Sequence, residues 1–458
     1  MKQGEIYSKY AKGAPCFPPL GLCYIASMLE KNHNIKIIDG VTEKLTLQQL
    51  RNAIQKFDPD IVGITSTTVS FLRAVDTAKV VKSVDKDIIV ILGGPHVSAI
   101  PKETFENYKC FDIGVVGEGE YTMLDLLQAI EKQRKLKTIR GIVFRKNRKI
   151  IITQGRESIK NLDELPFPAR HLLPNFPDVY NPPHYEKRLP VAHMITSRGC
   201  PYRCIFCTQA VFGRTWRGNS PKYMLQEVTH LIEKFKIKDI LFQDDLFTFS
   251  QLRVMEFCDL LINENIDLTW SCSTRVNLVN KLLLEKMYKA GCRTIYYGIE
   301  SGDQNILNFM NKGITLKHVI KVINLTKLSG IESYGSFILG FPTETPETIE
   351  KTIEFALKLP LDAVSFHITV PYPGTVLSQI ANQYGTTCRP DDWSRYRGHP
   401  DDLVFIAHGL TDKFLIKKQK EAYRRFYFRF PMILRKLKEI DSLGKVKLYI
   451  NGFLSLIS

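Results

Sequence analysis

The stretch Cys200-Pro-Tyr-Arg-Cys204-Ile-Phe-Cys207 constrains this chain more than any other part of it. Three closely spaced thiols make a donor set for a soft metal centre. They follow an apolar run, Val191 to Thr196, that reads as a buried strand, so they sit on a loop at a strand's carboxyl end, where α/β folds place their chemistry. Tetrahedral zinc asks for a fourth Cys or His at matching spacing, and no second C-x-x-C pair or H-x-x-x-H follows. A 4Fe-4S cluster held by three protein thiolates keeps one iron open. A zinc knuckle, or plain buried cysteines, is the bland alternative that spacing alone leaves standing.

With 458 residues, 44% apolar and 24% charged, the chain is globular and long enough for two or three domains, each with its own core. Ten cysteines without an apolar leader segment point to a reducing cytoplasm, where clustered thiols mean metal rather than disulfides. No uninterrupted apolar run reaches bilayer-spanning length, so the expectation is a cytoplasmic protein, peripheral to a membrane at most. The net charge of +16 allows an anionic partner, but much of it collects near the C-terminus.

Residues 1–135 alternate β-branched runs with amphipathic stretches. Ile35 to Ile38, Ile61 to Thr65, Ile88 to Leu92 and Ile113 to Val116 read as strands; Leu20 to Lys31, Thr46 to Phe57, Phe71 to Val84 and Tyr121 to Lys132 read as helices. That order predicts a doubly wound, Rossmann-like α/β domain with a mainly parallel sheet. The strands run out into loops of small residues: Thr65-Ser66-Thr67-Thr68, Gly93-Gly94-Pro95-His96 and Gly117-Glu118-Gly119-Glu120. Glycine lets a flat or phosphate-bearing ligand approach the backbone, and hydroxyls can hydrogen-bond it. One glycine pair is more often a turn than a site; three such loops at successive strand ends carry more weight.

Residues 136–189 read as a basic β-ribbon followed by a proline-rich linker, to which no chemistry is assigned. From 190 to 398 strand and helix patterns repeat six times, predicting a partial (βα)6 TIM-like barrel with polar residues at the strand ends. Cys258, Cys272, Cys292 and Cys388 are dispersed and read as core or incidental thiols. Residues 399–458 form a basic helical extension. Between Lys413 and Lys438 ten Lys/Arg stand against one Glu, interleaved with aromatics. The plain reading is a helix that caps the barrel; the sharper one is contact with anionic lipid.

The C-x-x-x-C-x-x-C motif, with the aromatic Phe206 before its last Cys, resembles the signature of the radical S-adenosylmethionine (SAM) enzymes. The three N-terminal loops resemble the cobalamin-binding domain found upstream of many of them. The likeness covers nearly the whole chain and is nearest the subgroup of anaerobic magnesium-protoporphyrin monomethyl ester cyclase and hopanoid methylases. It implies that Cys200, Cys204 and Cys207 hold a 4Fe-4S cluster whose open iron is chelated by SAM. It also implies SAM contacts from Phe206, Asp244, Asp245, Arg275 and Glu300, and corrinoid contacts from Ser66, Thr67, Gly93, Gly94, Pro95, His96, Gly117, Glu118 and Gly119.

Two departures from that subgroup stand out. Only Met1 to Ala14 precedes Pro15, which leaves little room for the usual first strand, and there is no D-x-H-x-x-G motif to supply a histidine below cobalt. For His96 the commoner role is a loop histidine bonded to backbone.

The resemblance further implies an enzyme that takes hydrogen from an unactivated carbon with a 5′-deoxyadenosyl radical and delivers methyl from methylcobalamin. It would need a one-electron reductant such as flavodoxin or ferredoxin and act on a small-molecule or lipid-like substrate, with no nucleic acid. The alternatives are oxidative cyclisation or hydroxylation of a tetrapyrrole, tRNA methylthiolation, or a non-catalytic corrinoid carrier. No catalytic side chain is identifiable from the sequence.

Overall fold

The expected alternation of strand and helix is present in the computed structural model, which describes residues 17–180, 187–388, 390–398, 402–430 and 432–434. The question of a first strand before Pro15 therefore lies outside the described residues, as does the tail from 435 onward. The chain divides into two compact units, one of Met1–Pro201, Thr208–Ser273 and Lys289–Arg293, the other of Tyr202–Cys207, Thr274–Tyr288 and Thr294–Ser458.

In the first unit, α1 (Leu20–Leu29) and α2 (Leu47–Phe57) lead into β1 (Ile61–Thr65), α3 (Phe71–Val84), β2 (Ile89–Gly93), β3 (Ile113–Val115) and α4 (Glu120–Glu131). A capping box of Thr46 and Gln49 starts α2 by satisfying two amides that have no intrahelical acceptor. β1, β2 and β3 pair in parallel, Ile61 opposite Ile89 and Ile91 opposite Ile113. Ile91, Leu126, Ile142 and Phe144 lie in one buried cluster beside them.

Two expectations need correction here. Ile35 to Ile38 joins no ladder among the described residues. The predicted ribbon, β4 (Ile142–Lys146) and β5 (Lys149–Ile152), belongs to the first domain rather than to the linker, because β4 pairs antiparallel with β3 and extends the sheet to five strands. A three-residue strand buried along its length would otherwise leave its backbone groups unpaired. Asn147 and Arg148, both at positive φ, make the tight turn between β4 and β5.

The same unit holds β6 (Val191–Met194), α5 (Pro221–Phe235), β7 (Asp239–Phe242), α6 (Gln251–Asn263) and all but the last residue of β8 (Thr269–Thr274), with β7 parallel to both β6 and β8. β9 (Cys292–Glu300), which enters the second unit at Thr294, β10 (Glu332–Leu339) and β11 (Ala363–Ile368) are parallel, with α7 (Gln304–Phe309) and α8 (Leu316–Leu328) between β9 and β10 and α9 (Pro346–Lys358) between β10 and β11. Burial alternates strictly along β10, which places one face against a core and leaves Tyr334, Ser336 and Ile338 on the other. Cys258, Cys272 and Cys292 are fully buried, as core thiols should be.

Helix α10 (Asp412–Tyr427) settles the structural role of the basic tail within its described part. Leu415, Ala422 and Phe426 are buried, and the Tyr427 and Tyr423 hydroxyls accept from the amides of Val364 and Phe366 at 3.1 and 3.0 Å. These hydroxyls satisfy backbone groups of β11, an edge strand, so the helix caps it. Among the described residues no helix is long and apolar enough to cross a membrane.

Candidate active site

The cysteine loop is anchored at both ends. Gly199 has φ +85°, and a Cβ there would run into the Thr215 carbonyl, so only glycine fits. The next amide, that of Cys200, donates to Gly213 O at 3.4 Å. In the second unit the Ile205 amide donates to Met310 O at 3.1 Å, the Ile205 carbonyl accepts from Leu377 at 2.8 Å, and the Asn311 side chain donates to the Arg203 carbonyl at 3.0 Å. Cys204 is buried, Cys200 half-buried and Cys207 exposed. Among the described residues no three Cys, His, Asp or Glu side chains stand ready-gathered around a metal position. The donor set itself, three thiols on one anchored loop, fits a 4Fe-4S cluster.

Around Cys204 the structure adds charge. Arg275 Nη1 donates to Cys204 Sγ at 3.4 Å, its Nη2 donates to the Lys312 carbonyl, and its guanidinium lies 3.7 Å from the centre of the Tyr202 ring. The Arg275 side chain is thus directed at Cys204 rather than standing ready for the SAM carboxylate. Glu300, in left-handed backbone at φ +71°, accepts from Lys312 Nζ at 2.7 Å, and both side chains are buried. Gly298 leaves the space these two fill. The Lys312 ammonium is 5.8 Å from the centre of the Phe206 ring, which meets Phe341 edge-on at 6.1 Å.

Lys312 escaped the sequence reading, although it sits in a turn, Asn311-Lys312-Gly313, whose outer residues both have positive φ. His367 was missed as well: it is exposed between buried Phe366 and Ile368, in register with Ile338.

Asp244 is a correction. Its carboxylate accepts from the Thr196 amide and hydroxyl at 2.7 Å each and from Ser197 Oγ at 2.5 Å, and it is buried. Burial pushes its carboxyl up, against the pull of Arg253 and these donors. It fastens the end of β6 instead of waiting for a SAM amine, while Asp245 beside it is exposed.

At the carboxyl edge of β1, β2 and β3 the predicted corrinoid residues separate into two kinds. Ser66 Oγ is buried without a partner among the described residues, Thr67 is exposed, and a Cβ on Gly93 would find nothing nearer than 4.0 Å. An orphaned hydroxyl beside open glycine backbone fits a ligand rich in amides, as cobalamin is. Gly117, at φ +84°, is likewise open, with Val211 O at 3.7 Å from a Cβ. Gly119 is closed by Ile25 at 2.8 Å, and Pro95 opens the short helix Pro95–Ala99.

The others are structural. At Gly94, φ is +95° and a Cβ would lie 2.7 Å from Ser66 O, so the fold itself needs glycine there. His96 is buried, stacked on Phe71 at 3.8 Å, and burial lowers its pKa to about 4. It is a neutral packed imidazole. Glu118 has both oxygens occupied by Arg198, Arg217 and the Ile159 amide, which uses up its acceptor sites.

Comparison with known proteins finds two domains along the chain. The family model described as B12 binding domain matches residues 10–127, and that of the Radical SAM superfamily matches residues 194–356. An uncharacterized methyltransferase from Pyrococcus horikoshii is 40% identical over 425 residues, 92% of this chain and 90% of that one. The chain belongs to the B12-binding radical SAM family. The anaerobic magnesium-protoporphyrin IX monomethyl ester cyclase of Rubrivivax gelatinosus is 28% identical, covering 98% of this chain and 81% of its own length. Among solved structures, the radical S-adenosylmethionine methyltransferase TsrM from Kitasatospora setae superposes with a TM-score of 0.70 at 18% identity, over 86% of this chain and 83% of that one. That likeness bears on the fold. The match to the radical SAM model begins at Met194, the last residue of β6.

Proposed function

We propose that this B12-binding radical SAM protein is a cobalamin-dependent methyltransferase acting on an unactivated carbon. The observation that carries the reading is the 40% identity to a methyltransferase along both domains, with the three-cysteine loop and the open edge around Ser66 and Gly93 in the same chain. When bound, the cluster with SAM supplies a carbon-centred radical and cobalamin supplies the methyl group.

The chain's own residues have definable tasks. Cys200, Cys204 and Cys207 would hold the cluster, with Arg275 donating to the Cys204 sulfur. Lys312 and Glu300 neutralise each other in a buried pair next to Phe206, presenting a polar surface without net charge. Ser66, Thr67 and Gly93 would receive cobalamin, while His96, packed against Phe71, would not serve as a ligand to cobalt. The substrate is a small or lipid-like molecule, the electron source a flavodoxin or ferredoxin. Tetrapyrrole cyclisation is the second reading, favoured by the likeness to the Rubrivivax cyclase over 98% of the chain.

Anaerobic turnover with methyl-labelled SAM decides between them: label in the product supports methylation, and an unlabelled oxidised product overturns it. Reconstituted protein should hold about four irons and four sulfides, and Cys204→Ala should lose both the charge-transfer absorption and SAM cleavage, while the buried Cys272→Ser keeps them.

A further inference from the structure

Within the first unit, four buried charges tie the loop after β3 to the segment that delivers Cys200. Arg198 donates through Nη1 to Glu118 at 2.8 Å and through Nη2 to Glu120 at 2.6 Å. Arg217 donates to the other Glu118 oxygen at 2.8 Å and to the carbonyls of Ile159 and Phe212 at 2.7 and 2.8 Å. All four residues are at most 8% exposed. Arg198 and Arg217 are direct partners in a two-residue antiparallel ladder, Ser197–Arg198 with Arg217–Gly218. Like charges placed opposite one another repel, so Glu118 between them is what allows the ladder to close. Two rings, Tyr24 at 5.1 Å and Phe212 at 5.2 Å, enclose the Arg198 guanidinium.

The arrangement has a direction. On one side, Glu118 lies in the loop that begins with Gly117, an open strand end of the B12-binding sheet, and Glu120 is the first residue of α4 that follows it. On the other, Arg198 is followed by Gly199, pressed on Thr215, and by Cys200, bonded to Gly213. A shift of the Glu118–Glu120 backbone cannot be absorbed by solvent, because the carboxylates are desolvated and their partners fixed; it moves Arg198 or leaves a buried charge unpaired.

Resting on the cofactor reading above, we propose that Arg198 is a positioning residue that couples corrinoid occupancy of the loop after β3 to the placement of Cys200. Cobalamin seated there holds Glu118 and Glu120, these hold Arg198, and the cluster loop is ordered in turn. The Cys200 end of the loop is thereby held more firmly with the second cofactor in place.

The test uses the full chain, anaerobically reconstituted and unreduced, with and without hydroxocobalamin. Iron, sulfide and cobalamin uptake are measured first. Wild-type protein that takes up neither cofactor sinks the functional reading, not this coupling alone. With both bound, amide exchange of the peptide containing Arg198 to Cys200 should slow about fivefold or more on adding hydroxocobalamin, as should iron loss to a chelator.

Arg198→Lys should keep both cofactors and lose that cobalamin-dependent difference. Should it fail to fold, Glu120→Gln, which leaves Arg198 paired with Glu118, should fold and lose most of the difference. A merely structural role would lower the melting temperature yet leave the difference intact. Equal exchange in wild type with and without cobalamin, or variants that retain the full response, overturns the proposal.

Discussion

Arg275 holds its guanidinium 3.4 Å from the sulfur of Cys204, so a fixed positive charge donates directly to one of the three thiols of the cysteine loop. A hydrogen bond to a cluster sulfur stabilises the reduced, more negative state and raises the potential. Arg275→Gln should therefore retain about four irons and shift the cluster potential negative by roughly 60 mV, the one-electron equivalent of a bond worth about 1.4 kcal/mol. Arg275→Lys should fall between. Redox titration followed by electron paramagnetic resonance reads this, and an unmoved potential would mean that the sulfur does not feel the guanidinium.

The two adjacent glycines after β2 should behave differently. Gly93 faces open space, so Gly93→Leu should abolish cobalamin uptake while the melting temperature stays within a few degrees of wild type. Gly94→Ala meets Ser66 in left-handed backbone and should lower stability, by about 1–3 kcal/mol, whether or not cobalamin is added. The cob(II)alamin spectrum should lack nitrogen splitting from the protein, since His96 is packed in the core. Equal effects from both substitutions would contradict this division.

That pair shows where sequence stops being legible. The strand order, the three cysteines and the loops of small residues follow from periodicity and spacing, which are local properties. What each polar residue does there depends on partners far along the chain. Asp244 is consumed by Thr196, 48 residues away, and Glu118 by Arg198, 80 residues away. A strand-end carboxylate looks the same in sequence whether it awaits a ligand or closes a ladder. Lys312 was missed for the same reason, since only folding brings it to Glu300.

Glu344 should give the protein a pH-dependent stability term. It is fully buried, accepts from the Phe341 amide at 2.9 Å, and burial raises its pKa from 4.5 to about 8. The folded state thus binds a proton that the unfolded state has released across that window. Its contribution is full below pH 4.5 and is lost as pH rises towards 8, at up to about 1.4 kcal/mol per pH unit. Glu344→Gln, which keeps an acceptor for Phe341, should flatten the fall between pH 5 and 8 in denaturant titrations. A slope identical to wild type would assign the pH dependence to other groups.

The basic helix α10 carries two faces, and the structure shows which cations to change. Lys418 and Arg425 both pair with Glu350, and Arg429 donates to the Leu357 carbonyl at 2.6 Å, so their loss would loosen the cap itself. Lys413, Lys417, Lys420 and Arg424, spaced three or four residues apart, form one exposed stripe. Ten cations across the tail would have promised strong lipid binding; four on one face promise roughly 4 kcal/mol at an anionic bilayer, lost as salt screens them. The full chain should co-sediment with phosphatidylserine-containing vesicles at low salt and stay in solution at high salt. The triple variant Lys413→Gln, Lys417→Gln, Arg424→Gln should remain in the supernatant at low salt with an unchanged melting temperature, because exposed charges of this kind add little stability. Wild-type protein left in the supernatant at low salt would end the lipid reading and leave α10 as the cap of β11 alone.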